Sequence, residues 1–402
     1  VNISDIKKVY HFAPTGTLAD YVQEIGRAAR KLPKGYATTD YFSGDMGYAR
    51  TLWGLSGLKH YQLQQMIKKL YELYEAKKSR NILFSPETFN YMFDEKQIDL
   101  KVKSGLMLLS TDFLHDKFHF KLITVKSRSV YTKQFIIVPY IIEKKFMSKY
   151  ERYCTKMTDV YPRIQKNIKA SDTITRKTGD IYEIDLGKIW ETEFNDITFP
   201  TFKWKFFTGK LFAYGDNKIL PNMKLVITYE NSFNEAFNNL EYLAEAIQKT
   251  FNHIKRKIGG KDFYFEGREG FKEIFTTYYE KTVRTEYILM LLDVFCYEGV
   301  DVGNIPSARW KFIARKKKDN EKINSPYVYC IRTNKYAHIK SNLRRYMNQL
   351  IPNQNNQYIT YLTIPNYTED AICKYQLLAS LMQLFDIATY ELVGGRNPEI
   401  FV

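Results

Sequence analysis

The sequence predicts a mixed α/β, multidomain protein, and three observations predict it. Its 402 residues are enough for two to four domains of ordinary size. A hydrophobic share of 45% and an aromatic share of 16% favour real cores over disorder. Runs of helical period alternate with strand-like runs along the whole length. The longest apolar stretches, "FIIVPYII" at 135–142 and "YILMLLDVF" at 287–295, fall well short of the roughly 18 residues that a membrane helix needs. The first residues lack the apolar core of a signal peptide. No membrane and a cytoplasmic location are therefore expected. Cys154, Cys296, Cys330 and Cys373 are scattered, with no C-x-x-C pair, so reduced structural thiols and no metal are expected. Lys and Arg outnumber Asp and Glu by 60 to 44, a net charge of +16. Such an excess suits a polyanionic partner, although a lysine-rich solvated surface would give the same balance.

Taken from the N-terminus, "DIKKVYHF" at 5–12 reads as a buried strand. Residues 17–32 should form a helix, with Leu18, Val22, Ile25 and Ala29 on one face, Thr17 as N-cap and Pro33 as the stop. Arg27 and Arg30 then stand three apart, with Gln23 one turn before Arg27. Gly26 costs a helix about 1 kcal/mol relative to alanine, which implies close approach by another group. Two guanidiniums beside an amide and a bare backbone suit a phosphate-rich ligand. "YATTDYF" at 36–42 reads as the next strand. The chain opens on Val1 and closes on "NPEIFV", and both ends read as interrupted strands of a larger protein.

The stretch "YVQEIGRAAR" resembles motif VI of superfamily 2 helicases, Q-x-x-G-R-x-x-R, in its RecQ-like and DEAD-box-like forms. "VNISDIKKVYHFAPTGTLADY" is similar to the run from motif V to motif VI, and Ala29 stands where the family usually has glycine. The resemblance covers about the first forty residues. It implies that residues 1–45 end a second RecA-like lobe, and that Gly26, Arg27 and Arg30 reach the γ-phosphate of ATP. One arginine would act as a finger in phosphoryl transfer, and Gln23 would couple nucleotide state to lobe closure. It also implies an N-terminal lobe in cis, with ATP and Mg2+ bound in the full-length parent and none in this stretch alone. No G-x-x-x-x-G-K-[ST] loop occurs. "YMFDEKQ" at 91–97 follows motif VI, whereas a DExx box precedes it, so this chain alone should not hydrolyse ATP.

Residues 46–80 read as a helical connector and residues 81–262 as a mixed α+β accessory region. Strands are expected at 119–127, 131–142, 180–186, 202–215 and 223–230, and a helix at 233–259 with Gly259 as C-cap. In "FKWKFF", Lys203, Trp204, Lys205, Phe206 and Phe207 alternate cation and ring, as a nucleotide-stacking strand or an ordinary amphipathic strand would. "HIKRKIGGKD" at 253–262 resembles a phospholipase-D motif, but its Asp comes two residues late. "HIKSNLRR" lacks the Asp, and "HDKFH" at 115–119 offers no third ligand. No nuclease is expected.

Residues 263–366 read as a basic α+β nucleic-acid-binding region. Between 303 and 350 there are twelve Lys or Arg and two acids, Asp319 and Glu321. Arg309, Lys311, Arg315, Lys316, Lys317 and Lys318 lie on a strand running into a loop; Lys340, Arg344 and Arg345 lie on a helix. With Trp310 and Tyr346 interleaved, they suit backbone contacts to nucleic acid, or else a solvated face. Residues 367–402 read as a helix capped by Thr368, then a hairpin of "ATYEL" and "EIFV" about the turn "VGGRNP". This resembles a truncated winged helix with Arg396 at the wing tip. The function expected is the C-terminal part of an ATP-dependent superfamily 2 DNA helicase or translocase, with DNA favoured over RNA. A non-catalytic nucleic-acid- or protein-binding module and part of an RNA helicase are the alternatives.

Overall fold

The computed structural model describes residues 6–12, 15, 18–28, 33–42, 58–93, 98–127, 133–158, 179–259, 263–297, 311–317, 327–331, 333–348, 350, 358–365, 369–397 and 399–402. The fold is mixed α/β. The chain divides into two compact units, residues 1–67 with 100–123, and residues 68–99 with 124–402. Among the described residues, no helix is long and apolar enough to cross a membrane.

The first unit opens with strand β1 (Lys8–His11), helix α1 (Leu18–Ile25) and strand β2 (Tyr36–Thr39). β1 and β2 pair in parallel, from Lys8 opposite Tyr36 to His11 opposite Thr39, so α1 lies in the crossover between them. Parallel strands cannot be joined by a tight turn, and a helix is their usual connection. The strand expected to be buried is largely exposed: His11 is buried, while Lys8 and Tyr10 face solvent. α1 is also shorter than the helix expected at 17–32. Regular helix stops at Ile25, and Arg27 N then bonds Glu24 O at 3.1 Å and Ala28 N bonds Ile25 O at 2.9 Å, a tightened final turn. Gly26, a poor helix former, sits at that stop.

Helices α2 (His60–Lys77) and α3 (Ile98–Asp112) follow. They approach closely at Gly105, where an added Cβ would lie 2.5 Å from Sδ of the buried Met66. α3 runs into a π-helical turn at Phe113–Lys117. His119 then takes a left-handed φ of 59°, so His115 and His119 do not share a regular helix. The strand expected at 119–127 is reduced to Lys126–Ser127. Apolar residues alone do not make a strand; its backbone groups need a partner along their length.

In the second unit, chain order runs β3 (Leu83–Phe84), β4 (Lys126–Ser127), β5 (Lys133–Pro139), α4 (Tyr140–Tyr150), β6 (Cys154–Met157), β7 (Gly179–Asp185), α5 (Leu186–Glu193) and α6 (Phe199–Phe207). It continues with β8 (Ala213–Tyr214), β9 (Asn217–Lys218), β10 (Pro221–Tyr229), α7 (Phe233–Ile258), β11 (Phe263–Glu266), α8 (Glu273–Tyr278) and α9 (Thr285–Phe295). Last come β12 (Cys296–Tyr297), β13 (Ile313–Lys317), β14 (Tyr327–Ile331), α10 (Ile339–Met347), β15 (Ile359–Pro365), α11 (Glu369–Leu384), β16 (Ala388–Val393) and β17 (Ile400–Phe401).

Six of these strands form a sheet that curls into a half-barrel. β10 is its hub: Leu225 faces Leu362 of β15 on one edge and Leu392 of β16 on the other. β5 takes the remaining end of that second edge at Pro221 and Asn222, and β7 and β6 follow outward. At Gly179 an added Cβ would lie 2.1 Å from Val138 O, so only glycine lets β7 start against the end of β5. The strands expected at 180–186 and 223–230 are thus β7 and β10. The run expected as one strand at 131–142 ends at Pro139, where α4 begins.

"FKWKFF" corrects the sequence reading: Phe199–Phe207 is helix α6, with Pro200 in its first turn. The alternation of lysine and ring suggested period two, but Phe199, Phe202 and Phe206 recur at helical spacing. Phe202 and Phe206 enter the core with Ile136, Phe146, Ile184 and Phe212.

The C-terminal expectation is also corrected. β16 pairs with β10, whereas β17 pairs with β3 and β4, so "ATYEL" and "EIFV" form no hairpin. From Tyr375 to Leu384 every residue of α11 is buried. A helix enclosed on all sides suits a core element and not a solvent-facing recognition helix.

α7 follows the sequence reading closely. Ser232 Oγ accepts from Glu235 N at 3.2 Å as N-cap, and Gly259 closes the helix at φ 71°. Its buried Phe251 packs on Phe265, Phe271, Phe295, Phe312 and Tyr336. That aromatic cluster joins α7 to the four-stranded sheet ordered β11-β14-β13-β12.

Candidate nucleotide and nucleic-acid contact sites

In the first unit, Gln23 lies on the last turn of α1 and Gly26 and Arg27 on the turn that follows; all three are exposed. Arg30 lies outside the described residues. Arg27 therefore projects from the helix end and not from a continuing helix. A Cβ at Gly26 would meet Val22 O at 3.1 Å and Gln23 O at 3.6 Å, both of its own helix. His11, which the sequence did not single out, ties the unit together: Nε2 lies 2.8 Å from Glu24 Oε2 on α1, and Nδ1 lies 3.2 Å from Thr39 Oγ1 on β2. Buried on β1, it fixes α1, and hence Gln23 and Arg27, against both strands.

In the second unit, the expected cationic strip is divided. Arg309 and Lys318 lie outside the described residues. Lys311 is half-buried before β13, and Arg315, Lys316 and Lys317 lie on β13 opposite Tyr329, Val328 and Tyr327 of β14. α10 packs against α7, and its cations meet acids there. Lys340 Nζ donates to Glu245 Oε2 at 2.5 Å, and Arg344 Nε lies 3.2 Å from Glu241 Oε1. Arg345 bonds Asn342 Oδ1 at 3.1 Å and stands over the Tyr346 ring. Lys249 and then Lys340 hold the Glu245 carboxyl down to about 2. Two of the three predicted α10 cations are thus paired with acids of α7 at the surface.

Arg396 is exposed but caps no wing. Its backbone N–H donates to Glu87 Oε1 at 2.9 Å, as do Asn397 N and Nδ2 at 3.1 Å each. A buried carboxylate, its pKa raised by desolvation, therefore pins this turn. Lys203 is half-buried on α6, its pKa lowered by burial, and Lys210 covers the Trp204 ring at 4.4 Å. The stacking strand considered at 202–207 is thus replaced by a helix whose exposed ring already carries a cation.

No family model, curated protein or solved structure matches the chain. The chemistry of the sites therefore rests on their own geometry. No group of His, Cys, Asp or Glu among the described residues could hold a metal ion. Burial pushes the Cys154 thiol up to about 12, which leaves it a poor nucleophile.

The site that the sequence missed is a concavity of about 480 Å³ lined by Lys249, Asn252, His253, Arg256, Lys257 and Tyr278. The first five belong to α7 and the last to α8. His253 Nδ1 and Tyr278 Oη lie 3.0 Å apart, a hydrogen bond that joins the two walls. Lys255 turns aside and donates to Asn334 Oδ1 at 3.2 Å. A signal was present in the sequence: the acids of α7, Glu235, Glu241 and Glu245, all precede its cations, Lys249, Lys255, Arg256 and Lys257. That order suits the helix dipole, and it also gathers the positive charge at one end.

Proposed function

We propose that this chain forms part of an ATP-driven superfamily 2 helicase or translocase acting on DNA. It supplies the motif VI arginines, and a large accessory region grips the substrate. The observation that carries this reading is that the Q-x-x-G-R stretch spans the end of a crossover helix between two parallel strands, with Gln23 and Arg27 exposed. A RecA-like lobe is built from such parallel crossovers. A two-stranded sheet is at best marginal by itself, and Tyr10, Phe12, Val22, Tyr36, Tyr41 and Phe42 remain exposed around it. That exposure supports a continuation of the lobe beyond β1. Arg27 and Arg30 would face ATP held by the other lobe and stabilise charge that develops on the transferred phosphoryl group.

The test is DNA-stimulated ATP hydrolysis by the full-length protein with Arg27→Ala and, separately, Arg30→Ala. Loss of a finger arginine should lower turnover by about 10³-fold or more, with nucleotide affinity changed far less. Turnover at the wild-type rate in both variants would sink the proposal.

A further inference from the structure

We infer that the C-terminal half of α7, with Tyr278 of α8, is the surface that holds the phosphodiester backbone of the nucleic acid. This rests on the nucleic-acid reading above and moves the grip away from α10, where the sequence placed it.

Spacing comes first. Lys249, then Asn252 and His253, then Arg256 and Lys257 recur at three and four residues, so they form one stripe along the helix. Eight residues of helix rise about 12 Å, long enough to follow a strand and not merely to hold a single small anion. Charge comes second. Arg256 and Lys257 are exposed and, among the described residues, in no ion pair, and no acid among the described residues lines the concavity. Glu245 is the nearest acid on the same helix; it reaches Lys249 at 2.7 Å but is shared with Lys340. Among the described residues, Arg256 and Lys257 at the end of α7 thus meet no acid.

Shape comes third. The hydrogen bond between His253 and Tyr278 sets two rings beside the cations, and Asn252 adds a neutral donor. Cations track phosphates, while rings can stack on bases of a single strand without reading sequence. Stabilisation of the helix C-terminus would account for Lys255, Arg256 and Lys257. It does not account for the wall contributed by Tyr278.

The experiment is binding of the 402-residue chain to fluorescein-labelled mixed-sequence DNA, single-stranded and duplex, with matched RNA alongside, between about 50 and 200 mM salt. Two variants are compared with wild type: Lys249→Ala/Arg256→Ala/Lys257→Ala and Lys340→Ala/Arg344→Ala. Each lost phosphate contact should make the log–log salt slope shallower by about 0.7 on single strands and 0.9 on duplex. The α7 variant should therefore lose about 2 to 3 from the slope, whereas the α10 variant should keep the wild-type slope. A wild-type slope in the α7 variant would overturn this placement and leave the nucleic-acid reading standing. No binding by wild type at the lowest salt would overturn both. These side chains are exposed, so melting temperatures should be preserved. If the triple variant unfolds, Arg256→Gln/Lys257→Gln carries the same test, with about two-thirds of the change in slope.

Discussion

Helix α10 and the C-terminal half of α7 both look, in sequence, like surfaces for a polyanion. α10 has Lys340, Arg344 and Arg345; α7 ends in Lys249, Lys255, Arg256 and Lys257. In the fold they differ. Two of the α10 cations lie against Glu241 and Glu245, whereas Arg256 and Lys257 line a concavity with no acid among its described lining residues. A count of charges along a sequence therefore says little about which of them can meet a ligand. What decides it is whether packing brings an acid within reach, and here the acids come from the first half of α7 itself.

Lys69 sharpens the comparison most, because it is a cation wholly enclosed. It is 1% exposed, donates to Gln383 Oε1 at 2.6 Å and stands 4.7 Å from the centre of the Tyr390 ring. Desolvation lowers its pKa from 10.5 to about 8, against the opposing pull of Glu72. The unfolded chain then binds the proton more tightly than the folded one does. Stability is reduced below about pH 8 and recovers as pH rises toward the unfolded value. Relative to Lys69→Met, wild type should gain up to roughly 3 kcal/mol across that window. Tyr91 and Tyr390, whose pKa values burial raises, oppose the gain near pH 10 in both proteins and cancel in the comparison. Denaturant unfolding at stepped pH would measure it. A difference independent of pH would show that Lys69 titrates alike in the folded and unfolded chain, against the lowering that its burial causes.

A smaller effect tests the neutralised side of the comparison. Glu245→Gln removes the acid shared by Lys249 and Lys340. The carboxylate is 40% exposed, so solvent screens both pairs and the cost at neutral pH should be roughly 0.2–1 kcal/mol. Because the folded pKa lies below the ordinary value of 4.5, this contribution is present above about pH 4.5 and lost as pH falls toward about 2. Wild type and variant should therefore converge in acid-unfolding curves. The same change frees Lys249 and Lys340, and DNA affinity should rise with a steeper salt slope. Weaker DNA binding by the variant would contradict the picture of cations held back by an acid.

Much of the second unit was legible in the sequence where local signals agreed with one another. The long helical run and Gly259 delimit α7 to within a residue, and the β-branched runs at β7 and β10 are strands. A helix after the first strand was legible too, although it ends at Ile25, where Gly26 interrupts it. The failures have a common physical origin. α6 was misread because alternating lysines masked the spacing of Phe199, Phe202 and Phe206. The hairpin at the C-terminus was misassigned because strand pairing is decided by tertiary partners, β10 for one strand and β3 with β4 for the other. Pairing of Lys340 with Glu245 spans 95 residues, and no local pattern carries it. His11, one residue among many aromatics, gave no signal until β1, α1 and β2 came together.

The most direct measurement is an amine-reactivity footprint of the 402-residue chain with and without single-stranded DNA, read by mass spectrometry at each lysine. DNA should protect Lys249 and Lys257 and leave Lys340 unchanged, because Lys249 and Lys257 line the concavity and Lys340 does not. Protection of Lys340 with no change at Lys249 and Lys257 would contradict this and return the contact surface to α10.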